Sequence, residues 1–544
     1  MQERVPWASR PLGRGFVAGL AAGAVASGVM LFLHMAPFNG LSLPESFGSE
    51  LTALMPGSMF AFLHQFIGDY AKSYLFYIIL VGQCLVFALG GGLYNRWANQ
   101  QDQPLPWYHG LLLALILWLF SGLILLPLTG AGIFGAGLTV GWASGAISLA
   151  IVGVAFGLLF VFCQRWLLTM QSTSGNGKIA ATRENATQRI SRRKLFQQGA
   201  VVAGVAVAGV AIWRFISVGF GGAHVSVTQL LQGYHNKITP TAPNYGEIHP
   251  AQFLSPEVTP NDQYYIVSKN FTDPTVGLND WSLKVDGLVD HPYTLSYTEL
   301  LAMPMQKQYE SMMCISNEVG GSYMSNALWE GVQLENLLQR AGVKPGATKI
   351  VLHAYDDYAD SIHLSKAIEP TTMVAVHMNG VKLPDGHGYP ARVLVPGIYG
   401  MKHIKWLTHI EVVNYDFQGY WQVRGWNDPA PVRLTSRIDT PLDGVAVAAN
   451  NTTYVAGVAF SGNKGISAVE VSLDAGHTWQ LATLKKPVSE ITWVIWELPW
   501  QPKPGQYTIT VRATDMDGNV QDPNEEPPLP IGSSGYHSIG VPVS

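Results

Sequence analysis

The feature that most constrains this chain is a long stretch without charge, because no Asp, Glu, Lys or Arg occurs between Asp102 and Arg165. A helix needs about 20 apolar residues to cross a bilayer, and two segments of that length lie in this stretch, with two more before it. Hydrophobic residues make up 48% of the chain and charged residues 13%, a balance typical of a partly membrane-embedded protein. The sequence therefore predicts four transmembrane helices, at about residues 16–35, 74–94, 108–128 and 140–163.

The distribution of Lys and Arg predicts how the chain crosses the membrane. Basic residues precede the first span and cluster between residues 178 and 194, and the positive-inside rule places both segments in the cytoplasm. A fifth apolar run, residues 195–213, then carries the chain across the inner membrane, so that everything after about Phe220 lies on the periplasmic or extracellular side. Arg192 and Arg193 precede this run and resemble a twin-arginine export signal; a plain stop-transfer flank is the alternative.

The chain is thus predicted to be multidomain, with a membrane domain at 1–170 and a linker containing the fifth span at 171–220. Residues 221–440 mix short alternating strands with short helices, such as Leu334–Ala341 ended by Gly342, which indicates an α+β domain. Short strands separated by turns over residues 441–544 predict an immunoglobulin-like β-sandwich. A formal net charge of -4 gives no reason to expect a nucleic-acid partner.

A basic, glycine-containing segment carries the clearest chemical signal. Arg and Lys supply charge-assisted donors to phosphate, and glycine lets the backbone approach a ligand closely. On these grounds the segment predicts an anionic, phosphate-bearing ligand, although a solvated basic loop explains the pattern equally well. The cationic or hydrogen-bonding side chains fall within 14 positions and are Arg392, Lys402, His403 and Lys405, interleaved with Gly397 and Gly400.

The same segment, from Met378 to Leu407, resembles without gaps the molybdopterin-binding signature of the sulfite oxidase and assimilatory nitrate reductase family. The resemblance extends over most of residues 255–540 and implies a molybdenum–molybdopterin cofactor. The Asp474–Trp479 turn resembles one in the family's C-terminal immunoglobulin-like domain, which commonly dimerises, so a homodimer is implied. The positions that match the family's pterin-holding residues are His387, Arg392, His403, Ile404 and Lys405.

Three further positions follow from the resemblance. Cys314 is the one cysteine after residue 163, and the family's cysteine at this place supplies a thiolate to molybdenum, a soft ligand suited to the metal; a buried inert thiol is the alternative. Asp262 and Tyr265 match a pterin-contacting segment of the related methionine sulfoxide reductases. Asp356 matches a pterin-contacting position of sulfite oxidases when gaps are allowed.

Two departures from the family bear on the substrate. Sulfite oxidases have an arginine for the sulfite anion where this chain has Val319, and a tyrosine near the metal where it has Trp426, although Arg424 and Lys269 could compensate from nearby. A small hard anion without donors binds poorly in a dry pocket. A sulfoxide or another small organic molecule is therefore predicted in preference to sulfite or nitrate.

The predicted reaction is two-electron oxygen-atom transfer at molybdenum, with the cofactor carrying the chemistry. The pocket would be shaped by Asn317, Glu318 and Trp426. Glu318 is also a candidate general acid or base, and a solvent-facing or salt-bridged carboxylate is the equal alternative.

The membrane helices are expected to anchor the enzyme or to dock a quinone-linked or cytochrome electron partner. His34, His64 and His109 lie in or near the spans; we interpret them as interfacial or core histidines, with haem b ligation as the less favoured alternative. Two other functions compete with this one. A non-catalytic exported binding module would explain the missing anion-binding residues, and a transporter with an outer sensor is disfavoured because the spans hold almost no ionisable residues.

Overall fold

A computed structural model describes residues 11–34, 40–54, 71–98, 103–136, 141–174, 237–270, 273–279 and 281–544. The chain separates into two compact units, a helical one in the N-terminal part and a β-rich one that contains most residues after 221. The twin-arginine-like motif, the predicted fifth span at 195–213 and His64 lie outside the described residues.

The N-terminal unit is helical, as predicted. Four of its helices are long and apolar enough to cross a membrane: Pro11–His34, Tyr74–Ala98, Tyr108–Leu128 and Gly141–Thr169. The prediction of four apolar helices is therefore confirmed. The helices of this unit are α1 (Pro11–His34), α2 (Leu43–Leu54), α3 (Ala71–Ala98), α4 (Tyr108–Phe120, extended by a π-helical turn at Ser121–Leu125 and a last turn at Leu126–Leu128) and α5 (Gly141–Ser174).

Glycines allow the apolar helices to approach each other closely. A Cβ at Gly91 of α3 would lie 2.7 Å from the Gly15 carbonyl oxygen of α1. A Cβ at Gly110 of α4 would lie 2.8 Å from the Gly157 carbonyl oxygen of α5. Small residues at contact points are the usual means by which membrane helices pack, since lipid provides no hydrophobic drive between them.

Both histidines that the structure describes in the helical unit have protein partners. His34 Nε2 lies 2.7 Å from Glu45 Oε2, and His34 Nδ1 lies 2.8 Å from the Gly40 carbonyl oxygen. His109 Nδ1 lies 2.7 Å from Tyr94 Oη. Haem ligation through His34 would therefore require one of its two contacts to break.

The α+β region contains two five-stranded sheets. In the first, with order β2-β1-β10-β5-β6, β1 and β10 are parallel and the other pairs antiparallel. Its core comprises buried residues such as Leu283, Leu352 and Ile410, and it lies where alternation predicted strands. The strands are β1 (Ser282–Gly287), β2 (Tyr293–Ser296), β5 (Lys349–Ala354), β6 (Ala359–His363) and β10 (Leu407–Val413).

The second sheet positions the candidate site. Its order is β3-β4-β7-β8, with β9 paired to β7. Three short helices accompany the sheets, and the predicted end of one at Gly342 is confirmed by its left-handed backbone (φ 69°). The strands are β3 (Gln306–Met313), β4 (Met324–Gln333), β7 (Met373–Met378), β8 (Val381–Lys382) and β9 (Arg392–Leu394), and the helices are α6 (Tyr297–Leu301), α7 (Leu334–Ala341) and α8 (Leu364–Ala367).

The C-terminal region is a β domain of two four-stranded sheets, ordered β11-β12-β16-β15 and β14-β13-β17-β18, which share one hydrophobic core. Leu434 and Ile438 are buried in this core, so β11 belongs to the C-terminal domain although the sequence placed the boundary at residue 441. The strands are β11 (Thr435–Thr440), β12 (Thr453–Phe460), β13 (Ile466–Ser472), β14 (Gln480–Leu481), β15 (Thr483–Leu484), β16 (Val494–Trp500), β17 (Gly505–Asp515) and β18 (His537–Val543).

The segment at residues 237–263, near the start of the predicted α+β domain, contacts both the α+β region and the C-terminal domain. The amide of Ile238 donates to the Gly518 carbonyl at 2.8 Å, which attaches the segment to the C-terminal domain. The amide of Thr259 then donates to the Asn326 carbonyl on β4, also at 2.8 Å. The segment thereby delivers Tyr265 to the second sheet, where its amide donates to Ser325 Oγ.

Candidate active site

Cys314 follows directly on β3 and is buried, with 7% of its surface exposed. Its amide donates to the Tyr323 carbonyl at 3.0 Å, and its Sγ lies 3.0 Å from Ser316 Oγ. Burial raises the pKa of the thiol, and the Ser316 hydroxyl opposes that shift. A thiol in such a place ionises when a cation binds it, since coordination deprotonates sulfur.

In the turn after Cys314, Asn317 and Glu318 lie in different environments. Asn317 is buried, and its Oδ1 accepts from the Tyr323 amide at 2.8 Å, so this side chain holds the turn. The Asn317 carbonyl accepts from Ser533 Oγ of the C-terminal domain at 2.7 Å. Glu318 is exposed on the surface of the turn.

Arg392 connects the segments that the sequence singled out. It is buried at the start of β9, and its guanidinium donates to the carbonyls of His387 at 3.1 Å and His403 at 3.4 Å. Its Nη2 lies 3.4 Å from the Sδ of Met312, two residues before Cys314. The guanidinium also stands over the ring of Trp329, 5.2 Å from its centre. The structure therefore brings the basic segment and the cysteine strand together.

His403 and Ile404 support the basic segment from inside. His403 is buried; its Nε2 lies 3.2 Å from the Ile398 carbonyl oxygen and its Nδ1 accepts from the Val395 amide at 3.3 Å. The Ile404 side chain is part of the first sheet's core, and its carbonyl accepts from the Val393 amide at 2.8 Å. His403 and Ile404 would therefore contact a ligand through their backbone groups more readily than through their side chains.

Lys405 borders the same site. Its Nζ donates to the Gly386 carbonyl at 3.0 Å, stands 4.2 Å from the centre of the Trp406 ring, and lies 3.8 Å from Asp273 Oδ2. Burial lowers the pKa of Lys405 to about 8, while the charges of Asp273 and Asp356 oppose this shift. Asp356 is half-buried, and its Oδ1 accepts from the Tyr358 amide at 3.2 Å.

The rings of Tyr264 and Tyr265 border the site, directly after the segment at residues 237–263. Their rings stack with centres 5.5 Å apart, and Tyr264 meets the ring of buried His387 edge-on at 5.3 Å. A Cβ at Gly400 would lie 2.9 Å from Tyr265 Oη and 3.4 Å from the Met312 sulfur, so the loop and Tyr265 are in close contact. Asp262, also predicted here, is exposed.

At the site, a buried positive charge lies among side chains that are neutral near pH 7. Burial, assisted by Arg392, lowers the pKa of His387 to about 4 and of His403 to about 3, so both imidazoles are neutral near pH 7. Burial also raises the pKa values of Tyr264 and Tyr265. Arg392 therefore remains the buried charge, surrounded by neutral hydrogen-bonding groups.

Glu310 is a buried acid that the sequence interpretation missed. It lies on β3 with no exposed surface, and burial raises its pKa to about 8. Its Oε2 accepts from Gln308 Nε2 at 2.9 Å, and its Oε1 lies 3.6 Å from His403 Nδ1. Because the pKa shifts make both Glu310 and His403 neutral, this contact is not an ion pair. An acidic residue within an otherwise apolar strand end was the available sequence signal.

Lys402, in contrast, has carboxylate partners. Its Nζ lies 2.8 Å from Asp360 Oδ1 and 3.0 Å from Asp428 Oδ1, and Lys349 Nζ lies 2.7 Å from Asp428 Oδ2. The hydroxyl of Tyr358 donates to the carbonyl preceding Lys402 at 2.7 Å. We call Lys402, Lys349, Asp360 and Asp428 the Lys402 cluster; it fixes the basic loop from behind and leaves Lys402 unsuited to holding a ligand.

Trp426 and Arg424 lie on a separate turn after β10. The Trp426 ring stacks on Trp421 with centres 4.2 Å apart and an angle of 12°. The Arg424 guanidinium stands 3.6 Å from the centre of the Tyr420 ring and donates to the Tyr420 carbonyl. Tyr420 in turn packs 5.7 Å from Tyr358. The turn therefore lies next to the basic loop, and the rings of Tyr420 and Tyr358 stand between them.

The residues present fit a phosphate-bearing pterin. Four buried polar atoms near the basic loop have no hydrogen-bond partner in the described structure: Arg392 Nε, Tyr264 Oη, Tyr265 Oη and Glu310 Oε1. A buried polar group without a partner is costly, which favours a ligand that supplies the missing contacts. The backbone at Gly388 (φ 110°) is left-handed, and a Cβ there would press on Lys405 and Arg392, so the chain is tightly folded around this loop.

Comparison with known proteins gives the same assignment. Residues 270–421 match the family model of the oxidoreductase molybdopterin binding domain, and residues 431–527 match that of the Mo-co oxidoreductase dimerisation domain. Mitochondrial sulfite oxidase of Homo sapiens is 28% identical over 361 residues, covering 57% of this chain and 66% of that protein. The NADH nitrate reductase of Cichorium intybus is 26% identical over 328 residues, covering 48% and 36%.

Among solved structures, the sulfane dehydrogenase SoxCD from Paracoccus pantotrophus covers 55% of this chain and 86% of its own, with 21% identity and a TM-score of 0.45. The chain spans just under two thirds of the sulfite oxidases it matches and about a third of the nitrate reductases. The first of these two adjacent domain matches contains both Cys314 and the basic loop, and together with the similarity to sulfite oxidases they support a sulfite oxidase-like molybdopterin oxidoreductase.

Proposed function

We propose that this chain is a membrane-anchored enzyme that transfers an oxygen atom to or from a small organic substrate, such as a sulfoxide, outside the cytoplasm. One observation carries the proposal: the Arg392 guanidinium donates to the His387 and His403 carbonyls and to the Met312 sulfur. The cationic site therefore lies beside β3, which Cys314 directly follows. An anionic pterin held by Arg392 would then have its metal near the Cys314 thiol.

The molybdenum–pterin cofactor supplies two-electron oxygen-atom chemistry when it is bound. Arg392 and Lys405 would hold its phosphate, and Tyr265 would offer its unpaired hydroxyl to the pterin. The Cys314 sulfur would be the protein's ligand to the metal. Asn317 keeps the turn after Cys314 in place through the Tyr323 amide, so its role is that of a positioning residue.

The contacts of the turn after Cys314 support a neutral substrate. Val319 occupies the position that would hold the anion-binding arginine of sulfite oxidases, and it packs near Gly535 of the C-terminal domain. The nearby Arg437 is already engaged, since it donates to the Gly321 carbonyl at 2.8 Å and to Asp439 Oδ1 at 2.6 Å. Neither residue leaves a cationic donor aimed at a sulfite-sized anion.

The remaining features complete the proposal. The four apolar helices anchor the enzyme in the inner membrane, with the catalytic domain on the periplasmic or extracellular side, as the basic segment at 178–194 predicts. A quinone-linked or cytochrome partner exchanges electrons with the cofactor. The C-terminal domain, which we take to be immunoglobulin-like, joins two copies into a homodimer, in keeping with its match to a dimerisation domain.

Substitution of the cysteine tests the catalytic assignment. We expect Cys314→Ser to abolish turnover measured with a surrogate redox dye, because the hydroxyl is a poor replacement for a thiolate. Cys163→Ser is the matched control, since that free cysteine lies in the helical unit. Molybdenum and pterin are quantified in each protein. Wild-type turnover in Cys314→Ser with normal cofactor content would refute the assignment.

A substrate screen tests the second half of the proposal. The full-length protein is assayed in detergent with sulfite, nitrate and several alkyl and aryl sulfoxides. We expect turnover with a sulfoxide or another neutral oxygen donor, and none with sulfite or nitrate. Efficient sulfite oxidation would show that the missing arginine is replaced by another donor, and would overturn the inference from Val319.

A further inference from the structure

The outward face of the first sheet of the molybdopterin domain carries a second group of chemically active side chains. They lie on three neighbouring strands: Asp286 on β1, His409 and Glu411 on β10, and His353 on β5. Each is half-buried, with between 22% and 32% of the side chain exposed. None of them is used by the catalytic site described above.

The strand register brings these four residues together. His353 and His409 are directly paired across β5 and β10, and Asp286 is paired with Glu411 across β1 and β10. His409 and Glu411 are two positions apart on one strand, so they share a face. The intervening Ile410 is buried in the core on the opposite face.

The distances are those of a group already close to a coordination shell. His353 Nε2 lies 3.0 Å from Glu411 Oε2, and His409 Nε2 lies 2.5 Å from Asp286 Oδ1. One ligand atom each from His353, His409 and Glu411 lies within 4.8 Å of the others. A tetrahedral zinc ion with bonds of about 2.0 Å needs ligand atoms roughly 3.3 Å apart. The shell therefore closes only if the side chains adjust and if Asp286, whose Oδ2 also contacts Lys284 Nζ, turns toward the ion.

We propose that His353, His409 and Glu411, with Asp286 as a fourth ligand, bind one divalent transition-metal ion such as Zn²⁺. Two imidazoles and two carboxylates are a donor set that zinc and its neighbours accept. The two carboxylates also balance the charge of a divalent ion.

The orientation of the two imidazole rings is in keeping with this role. The His353 and His409 rings are nearly parallel, at 14° with centres 4.7 Å apart, and this stacking places both Nε2 atoms toward the carboxylates they contact.

The site would join three strands next to the catalytic loop. β10 begins at Leu407, two residues after Lys405, so an ion at His409 would brace the strand that follows the pterin-holding segment. We assign it a structural role, because all four proposed ligands come from the protein and a closed shell of this kind is typical of structural zinc sites.

Zinc titration of the full-length protein tests the proposal. The protein is treated with a chelator that removes divalent ions, and Zn²⁺ is then titrated by calorimetry, with molybdenum content measured in parallel. We expect the His353→Gln/His409→Gln variant to bind one equivalent fewer than the wild type. His363→Gln, which changes an exposed histidine on β6 of the same sheet, is the matched control and should bind as the wild type does.

Further measurements keep the test decisive. We expect Zn²⁺ to raise the melting temperature of the wild type but not of the double variant, and Asp286→Asn to bind roughly 10-fold more weakly. If the double variant already melts early in chelator, Glu411→Gln replaces it, since the amide keeps the side chain's shape. Equal zinc stoichiometry in the wild type and in the ligand variants would overturn the proposal and leave two hydrogen-bonded His–carboxylate pairs.

Discussion

Two groups of buried charges on either side of the same loop have opposite characters. The Lys402 cluster is internally compensated, because Lys402 and Lys349 each lie within 3.0 Å of a carboxylate oxygen. On the other side, Arg392 donates to two carbonyls and a thioether. We call Arg392, His387, His403 and Lys405 the Arg392 cluster.

The difference separates scaffold from binding site. A buried charge is tolerated when it is paired and is costly when it is not. The acid nearest to Arg392, Glu310, is held neutral by burial, with a pKa of about 8, so it does not compensate the guanidinium. The Arg392 cluster is therefore suited to receive the negative charge of a ligand, whereas the Lys402 cluster already has its counter-charges.

The largest expected effect is on the stability of the scaffold. We expect Lys402→Met to lower the free energy of unfolding by about 3–5 kcal/mol, because Asp360 and Asp428 would lose their buried partner. Urea denaturation of the cofactor-free protein measures this. Lys344→Met is the control, since the side chains of Lys344 and its partner Asp290 are 47% and 60% exposed, and a surface pair contributes about 1 kcal/mol or less. Equal effects of the two substitutions would remove the distinction between the clusters.

The second prediction concerns pH. The pKa of Glu310 is raised from 4.5 to about 8 in the folded protein, so its protonated form favours folding. This contribution is complete below about pH 4.5 and is lost as pH rises toward 8, because the unfolded state releases the proton first. In Glu310→Gln the loss should be absent, which makes the variant relatively more stable at high pH, on the order of a few kcal/mol.

Denaturation midpoints of the cofactor-free protein between pH 5 and 8.5 measure this effect. Glu335→Gln on α7 serves as the control, and its curve should run parallel to that of the wild type. If the Glu310→Gln curve also ran parallel, Glu310 would be ionised and would compensate Arg392, and the contrast between the two clusters would fail.

The third prediction is that replacing Arg392 weakens cofactor binding and spares stability, whereas replacing Lys402 lowers stability. Arg392→Met should weaken cofactor binding by about 1.5–3 kcal/mol, the contribution of a hydrogen bond from a charged group. It should leave the stability of the cofactor-free protein unchanged or raise it, because an unpaired buried charge is removed. Pterin and molybdenum per chain, together with the urea midpoint, give both quantities. Retained cofactor with a large loss of stability would make Arg392 a scaffold residue.

The contrast also shows what the sequence could predict. Apolar length predicted the four helices, alternation predicted short strands in both β regions, and Gly342 predicted the end of α7, because these features depend on local pattern. The signature at 378–407 correctly pointed to a molybdopterin domain. Its four cationic or hydrogen-bonding side chains looked equivalent, however, and only the fold shows that Lys402 faces Asp360 and Asp428, which are 42 and 26 residues away.

Long-range contacts explain the other omissions. The importance of Glu310 comes from its burial near Arg392 and His403, which lie on different elements. The predicted boundary at residue 441 excluded β11 from the C-terminal domain, because β11 pairs with β12, a strand that comes after the boundary. Of the predicted site residues, the structure gathers Arg392, His387 and Tyr265 near the strand of Cys314. Asp262 and Glu318 are exposed, and their roles at the site stay predictions.

The smallest expected effect concerns the thiol that lies beside the Arg392 cluster. Ser316 Oγ lies 3.0 Å from Cys314 Sγ and opposes the rise in the pKa of the thiol that burial causes. Ser316→Ala should therefore raise this pKa further, because a hydrogen bond that stabilises the thiolate is lost.

The pH dependence of alkylation measures that pKa in cofactor-free protein whose other cysteines, Cys84 and Cys163, are replaced by serine. Ser322→Ala is the control, because Ser322 is exposed on the same turn and should leave the midpoint in place. A lower midpoint in Ser316→Ala would mean that the hydroxyl stabilises the neutral thiol. Ser316 would then oppose, instead of assist, the ionisation that binding to a metal requires, and the site would depend on the charge of the Arg392 cluster alone.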